Sequence, residues 1–145
     1  MVNVFIFHGV GGSSSENWFP WMKAELQAAG HTVIVPDFPH PNRPQLDEWL
    51  KSFEQYKHLL SEDSVLVGHS LGGAFALRLL QSWNVRVLAT FLVASVWGVM
   101  DNEFDPLMRT FTETSYDWQR INQYAGEIHI LHSDNDPYIK LAKAE

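Results

Sequence analysis

Short runs of apolar residues recur along the chain, separated by segments whose hydrophobic positions follow a helical spacing. The runs are Val2 to Phe7, ending at His8-Gly9; Thr32 to Val35, ending at Pro36; Ser64 to Val67, ending at Gly68; Val87 to Ala94; and Ile128 to Leu131, just before Ser133. Continuous apolar runs without polar alternation predict strands buried on both faces, as in a parallel sheet. Between the first two, Asn17 is the predicted N-cap, Pro20 sits in the first turn, and Trp21, Leu26 and Ala29 form a stripe that ends at Gly30. Leu46, Trp49, Leu50, Phe53 and Leu60 form a second stripe. Leu71 to Trp83 forms a third, apolar on most sides, as suits a helix lying on the centre of a sheet. Alternating strands and helices with right-handed crossovers make a doubly wound α/β domain. No repeat or linker divides it, so residues 1–145 are expected to form one domain.

The tail breaks the pattern. After Pro137, the stretch Tyr138-Ile-Lys-Leu-Ala-Lys-Ala-Glu145 starts a helical pattern with no stop signal and no strand to follow. The expectation is a domain cut short inside an element. The strand at 128–131 would then be an uncovered sheet edge, open to dimerisation with a second copy.

Composition narrows the function classes. Ten Lys and Arg stand against 17 Asp and Glu, a net charge of −7, and the basic residues form no run. Phosphate backbones need clustered cations, so nucleic acid is not an expected partner. There is no uncharged apolar stretch long enough to span a membrane and no basic, cleavable leader in MVNVFIFHG. The absence of Cys excludes a disulfide framework and a thiolate metal site, and suits a reducing compartment; a cytoplasmic protein is expected.

Gly68-His69-Ser70-Leu71-Gly72 matches G-x-S-x-G, with a strand before it and an apolar helix after it. That is the setting of a nucleophile elbow. The serine must sit on a strained turn, and flanking glycines let strand and helix close without Cβ clashes. The helix N-terminus then aims free N–H groups at the site where an oxyanion develops. The first turn, His8-Gly-Val-Gly-Gly12, also joins a strand to a helix. In a hydrolase it supplies a second oxyanion N–H, from Val10, beside that of Leu71. In a dinucleotide binder it would cradle a pyrophosphate, with Asp37 on a ribose, but Ser14 stands where the third glycine belongs. A triad acid belongs in the loop after a later strand, and in His132-Ser-Asp-Asn-Asp-Pro137 both Asp134 and Asp136 qualify.

Together, HGVGG, NWFPWM, FPHPNRPQLDEWL, VGHSLGG and HSDNDPY resemble a family of small lid-less α/β-hydrolases that includes YdeN-type bacterial esterases and the retinoblastoma-binding serine hydrolase. The resemblance runs from Val2 to Glu145. It implies a three-layer α/β-hydrolase domain with sheet order 2-1-3-4-5, a sixth strand missing, and a ligand crevice between strands 1 and 3. In such proteins the acid directly precedes the proline, which selects Asp136. The resemblance also implies acyl transfer from small esters through Ser70, with no metal or cofactor. Trp97, just after the fourth strand, is expected to line the acyl pocket. The family's catalytic His follows one more strand, whereas all seven His (8, 31, 40, 58, 69, 129 and 132) precede Asp136. His69 is expected to pack behind Ser70, His8 to belong to the oxyanion turn, and His132 to be only a fallback base. The expectation is a serine esterase whose triad His is absent from these residues. The alternative is a hydrolase scaffold that binds a protein partner without catalysis.

Overall fold

The structure is a computed structural model describing residues 1–145. Five parallel strands, β1 (Asn3–Phe7), β2 (Thr32–Ile34), β3 (Ser64–His69), β4 (Ala89–Val93) and β5 (Glu127–Leu131), form one sheet in the order β2-β1-β3-β4-β5. Each β-strand ends within a residue or two of its expected limits, because each run stops where the backbone turns away from the sheet.

Parallel register decides which side chains share a face. Phe5 and Phe7 lie beside Leu66 and Gly68, and Ile130 beside Leu92. This face is covered by α2 (Leu46–Phe53), α3 (Leu71–Ser82) and α5 (Trp118–Tyr124), and it holds the larger core, with Trp49, Phe53, Phe75 and Phe111 fully buried. Every residue of α3 from Leu71 to Leu80 is buried, the all-round apolar helix its sequence describes. On the opposite face Val4, Ile6, Val33 and Val67 pack with Phe19 of α1 (Phe19–Ala28). A short α4 (Arg109–Thr112) lies between β4 and α5. No helix is long and apolar enough to cross a membrane.

Three expectations are corrected. Helix α1 is capped by Trp18, not Asn17, which takes a left-handed φ of 51°. Trp21 is 63% exposed, because α1 is the one helix on its face and turns only a narrow stripe, Phe19, Met22 and Leu26, to the sheet. The helix expected from Tyr138 does not form. Lys140 is extended (ψ 144°), and one 3-10 turn, Leu141–Lys143, closes the chain. The competing partner is Asp136, whose Oδ1 accepts the Tyr138 and Ile139 N–H groups, both at 2.8 Å. Strand β5 pairs with β4 alone, and all five of its residues are exposed.

Candidate active site

The C-terminal ends of β1, β3, β4 and β5 open on one cleft of about 360 Å³, at the point where strand order reverses between β1 and β3. Ser70 is the single residue between β3 and α3, at φ 55° and ψ −122°. A backbone there costs on the order of 1–3 kcal/mol for a residue with a Cβ. Hydrogen bonds from Ser70 N–H to the Val93 carbonyl (3.1 Å), and from Gly73 and Val96 N–H to the Ser70 carbonyl (both 3.0 Å), hold it. The flanking glycines are required by contact. A Cβ on Gly72 would lie 2.1 Å from the Phe7 carbonyl oxygen, and one on Gly68 would lie 2.4 Å from the Gly73 Cα. Ser70 is half-buried, caps nothing in α3 and lines the cleft. A Cβ on Gly9 would sit 3.2 Å from its Oγ, so Gly9 keeps the approach to the hydroxyl open.

Two backbone amides close to Ser70 in the chain fold, those of Leu71 and Val10, appear in none of the turn and loop hydrogen bonds. Leu71 opens α3, where the first N–H groups have no intrahelical partner. In the β1 turn, Gly11 donates to the Pro41 carbonyl (2.8 Å) and Gly12 to that of Gly9 (3.1 Å), which leaves Val10. The turn is braced by His8, which is fully buried between Phe38 and Trp49. His8 Nε2 accepts the Phe38 N–H at 3.0 Å, so Nδ1 carries the proton and donates to the Gly9 carbonyl at 2.9 Å. The dinucleotide reading loses its acid here, since both Asp37 oxygens are taken by the Ser14 amide (2.6 Å) and hydroxyl (2.8 Å).

Of the two candidate acids, Asp136 lines the cleft and Asp134 is exposed outside it. Besides the two amides on its Oδ1, Asp136 has Oδ2 3.8 Å from His132 Nε2. That nitrogen donates to the Ile139 carbonyl at 2.7 Å, and the His132 side chain is only 2% exposed, with Nδ1 buried and unpartnered. His132 therefore braces the acid loop and does not line the cleft. His69 does line it, with its ring edge-on to Trp18 and Phe19. Elsewhere, His31 accepts the Val2 N–H, while His40 pairs with Glu48 and His129 with Glu127. No imidazole of the chain is hydrogen-bonded to Ser70.

Trp97 is a correction. Val96 points into the Ser70 cleft, and Trp97 points the other way, into a second groove with Leu77, Leu92, Trp118, Ile128 and Ile130. The cause is local: Ala94, at a left-handed φ of 45°, turns the chain so that Val96 N–H reaches the Ser70 carbonyl. The Trp97 indole N–H donates to the Lys143 carbonyl at 2.6 Å.

The apolar wall of the cleft, Phe104 and Met108, comes from the segment after β4, and no motif in the sequence marks these two residues. Its signal was a lone arginine in an apolar helix. Buried Arg78 of α3 donates to the carbonyls of Phe111 (2.9 Å), Thr114 (2.6 Å) and Ser115 (3.2 Å), and stacks 3.7 Å from the centre of the Tyr116 ring. Burial pushes the Tyr116 phenol up to about 12 against the opposing pull of Arg78, and its hydroxyl donates to the Trp97 carbonyl.

Burial lowers the pKa of both His8 and His69 below the ordinary 6.5 and outweighs the nearby carboxylates, which raise it. Below about pH 6.5 the unfolded chain then binds protons that the folded chain refuses. Stability is expected to be complete above that pH and to fall as the solution is acidified below it. Urea midpoints at pH 7.5, 6.0 and 5.0 check this; a midpoint unchanged or rising toward pH 5 would contradict it.

Comparison with known proteins shows the family and the fold. A family model described as serine hydrolase matches residues 4–145. The putative hydrolase YdeN of Bacillus subtilis is 32% identical over 136 residues, which cover 94% of this chain and 72% of that protein. The serine hydrolase RBBP9 of Rattus norvegicus is 24% identical over 133 residues, 91% of this chain and 69% of that one. The crystal structure of the B. subtilis ydeN gene product superposes with a TM-score of 0.92 at 30% identity, over 99% of this chain and 77% of that one. Est1E of Butyrivibrio proteoclasticus, solved with ferulic acid bound, shares the fold at a TM-score of 0.74 and 17% identity, over 98% of this chain and 72% of that one.

Proposed function

The chain belongs to the serine hydrolase family, and from that premise we propose that it carries the nucleophile, acid and oxyanion hole of a carboxylesterase acting on small acyl esters. The observation that carries this reading is Ser70, held at φ 55° between β3 and α3 on the wall of the cleft that also contains Asp136.

In the proposed reaction a base takes the Ser70 proton as Oγ attacks the ester carbonyl. The N–H groups of Val10 and Leu71 hold the resulting oxyanion. The base returns the proton to the departing alcohol, and water, activated the same way, releases the acid and restores Ser70. Asp136 orients the base. No histidine of residues 1–145 is bonded to Ser70: both His8 nitrogens and His132 Nε2 are committed, and the His69 ring packs edge-on against Trp18 and Phe19.

A fluorophosphonate probe tests the reading. Mass spectrometry of the labelled chain is expected to find the adduct on Ser70, accumulating slowly in residues 1–145. An adduct on other serines alone, or none after prolonged exposure, would favour a non-catalytic binding module instead.

A further inference from the structure

The Ser70 cleft carries charge of one sign only. Two carboxylates line it, Glu16 and Asp136, and none of the ten Lys and Arg does. The two acids differ in what they already hold. Asp136 accepts two backbone amides and lies near His132, and in the proposed reaction it faces the imidazole of the base. The Glu16 carboxylate has no cation beside it and no hydrogen bond within the chain, although its backbone is fixed: its N–H donates to the Ser13 carbonyl and its own carbonyl accepts from Phe19 at the start of α1. Asn17, left-handed at φ 51°, follows it on the same wall. Nothing in the cleft cancels the Glu16 charge. His69, the one imidazole there, is held neutral by burial, even though Glu16 and Asp136 both pull toward its charged form. The remaining walls are mainly apolar, with Val10, Val96, Phe104, Met108 and Ile139, beside Asn102 and Tyr138.

We propose that Glu16 is a specificity-determining residue, and that the Ser70 cleft takes acyl esters carrying a positively charged group, such as an ammonium, while rejecting those carrying a carboxylate. The inference rests on the hydrolase reading of Ser70 and adds the substrate's charge to it. An ammonium placed against Glu16 gains an unpaired counter-ion at the edge of a partly desolvated cleft. A carboxylate in the same position meets two like charges and finds no cation.

The test compares two phosphonate esters of matched chain length, one ending in trimethylammonium and one in carboxylate, by their second-order rates of reaction at Ser70. At low ionic strength the cationic ester is expected to react about tenfold faster, with the ratio shrinking toward one in high salt. Glu16→Gln should remove most of the preference and Glu16→Lys should reverse it; Glu16 is exposed, so both variants should fold. A ratio near one in the unaltered chain, or a ratio untouched by both substitutions while Ser70 still reacts, would overturn the role of Glu16. No adduct on Ser70 with either ester after prolonged exposure would overturn the hydrolase reading, and this inference with it.

Discussion

Residues 1–145 are expected to hydrolyse a nitrophenyl ester about 10⁶-fold more slowly than a complete serine triad does, and Ser70→Ala is expected to change that slow rate by less than about threefold. The second half is the sharper one. Triad members act as a unit, so removing one forfeits nearly all that the three supply, and removing another adds little. Without an imidazole against its Oγ, Ser70 keeps its proton near neutral pH and is a poor nucleophile. What remains is the oxyanion hole and substrate binding, roughly 10³- to 10⁴-fold over water, and a Ser70→Ala chain keeps both. Steady-state kinetics on the unaltered chain and on Ser70→Ala, His69→Ala and His132→Ala decide the matter. A loss of 10³ or more in Ser70→Ala would place a working base inside these residues. The two histidine variants would then identify it.

Gly72→Ala is expected to cost more than about 4 kcal/mol, a large share of the roughly 5–15 kcal/mol that holds a domain of this kind together. The added methyl would lie 2.1 Å from the Phe7 carbonyl oxygen and 2.8 Å from that of His8. Neither oxygen can retreat. Phe7 is fully buried and sits in the β1–β3 register opposite Gly68, and His8 is locked by both ring nitrogens. Helix α3 would have to lift from β1, opening the core at Phe75 and Leu71. Gly98 provides the comparison: a Cβ there meets nothing within 4 Å. Gly98→Ala should therefore stay within about 0.5 kcal/mol of the unaltered chain. Urea unfolding of both variants checks the contrast, and a Gly72→Ala midpoint close to the unaltered one would contradict the packing argument.

The sheet was legible in the sequence because its strands are buried on both faces, and such strands read as plain apolar runs. The α3 helix was legible for the same reason, and the elbow because its glycines are demanded by contacts that no other residue survives. Helical periodicity gives a stripe but not the width of the surface it meets, so Trp21 was assigned inward although α1 buries little beyond Phe19. The side on which Trp97 falls depends on the left-handed turn at Ala94, and an alanine carries no local signal for that conformation. The residues alone left Asp134 and Asp136 equal. Their separation lies in the Tyr138 and Ile139 amides that gather on Asp136 and turn it into the cleft. Glu16 was invisible for a related reason: its importance comes from what is missing around it, and only the assembled cleft displays that.

Ser70 and Asp136 are anchored in very different ways. Ser70 is fixed between a central strand and a helix buried from Leu71 to Leu80. Asp136 hangs from β5, which is held by β4 on one side only and has no buried residue. An edge strand with no buried residue has fewer contacts to break in a local opening than a central strand such as β3 has. Within residues 1–145, contacts that steady β5 therefore steady Asp136, whereas the position of Ser70 depends on the centre of the sheet.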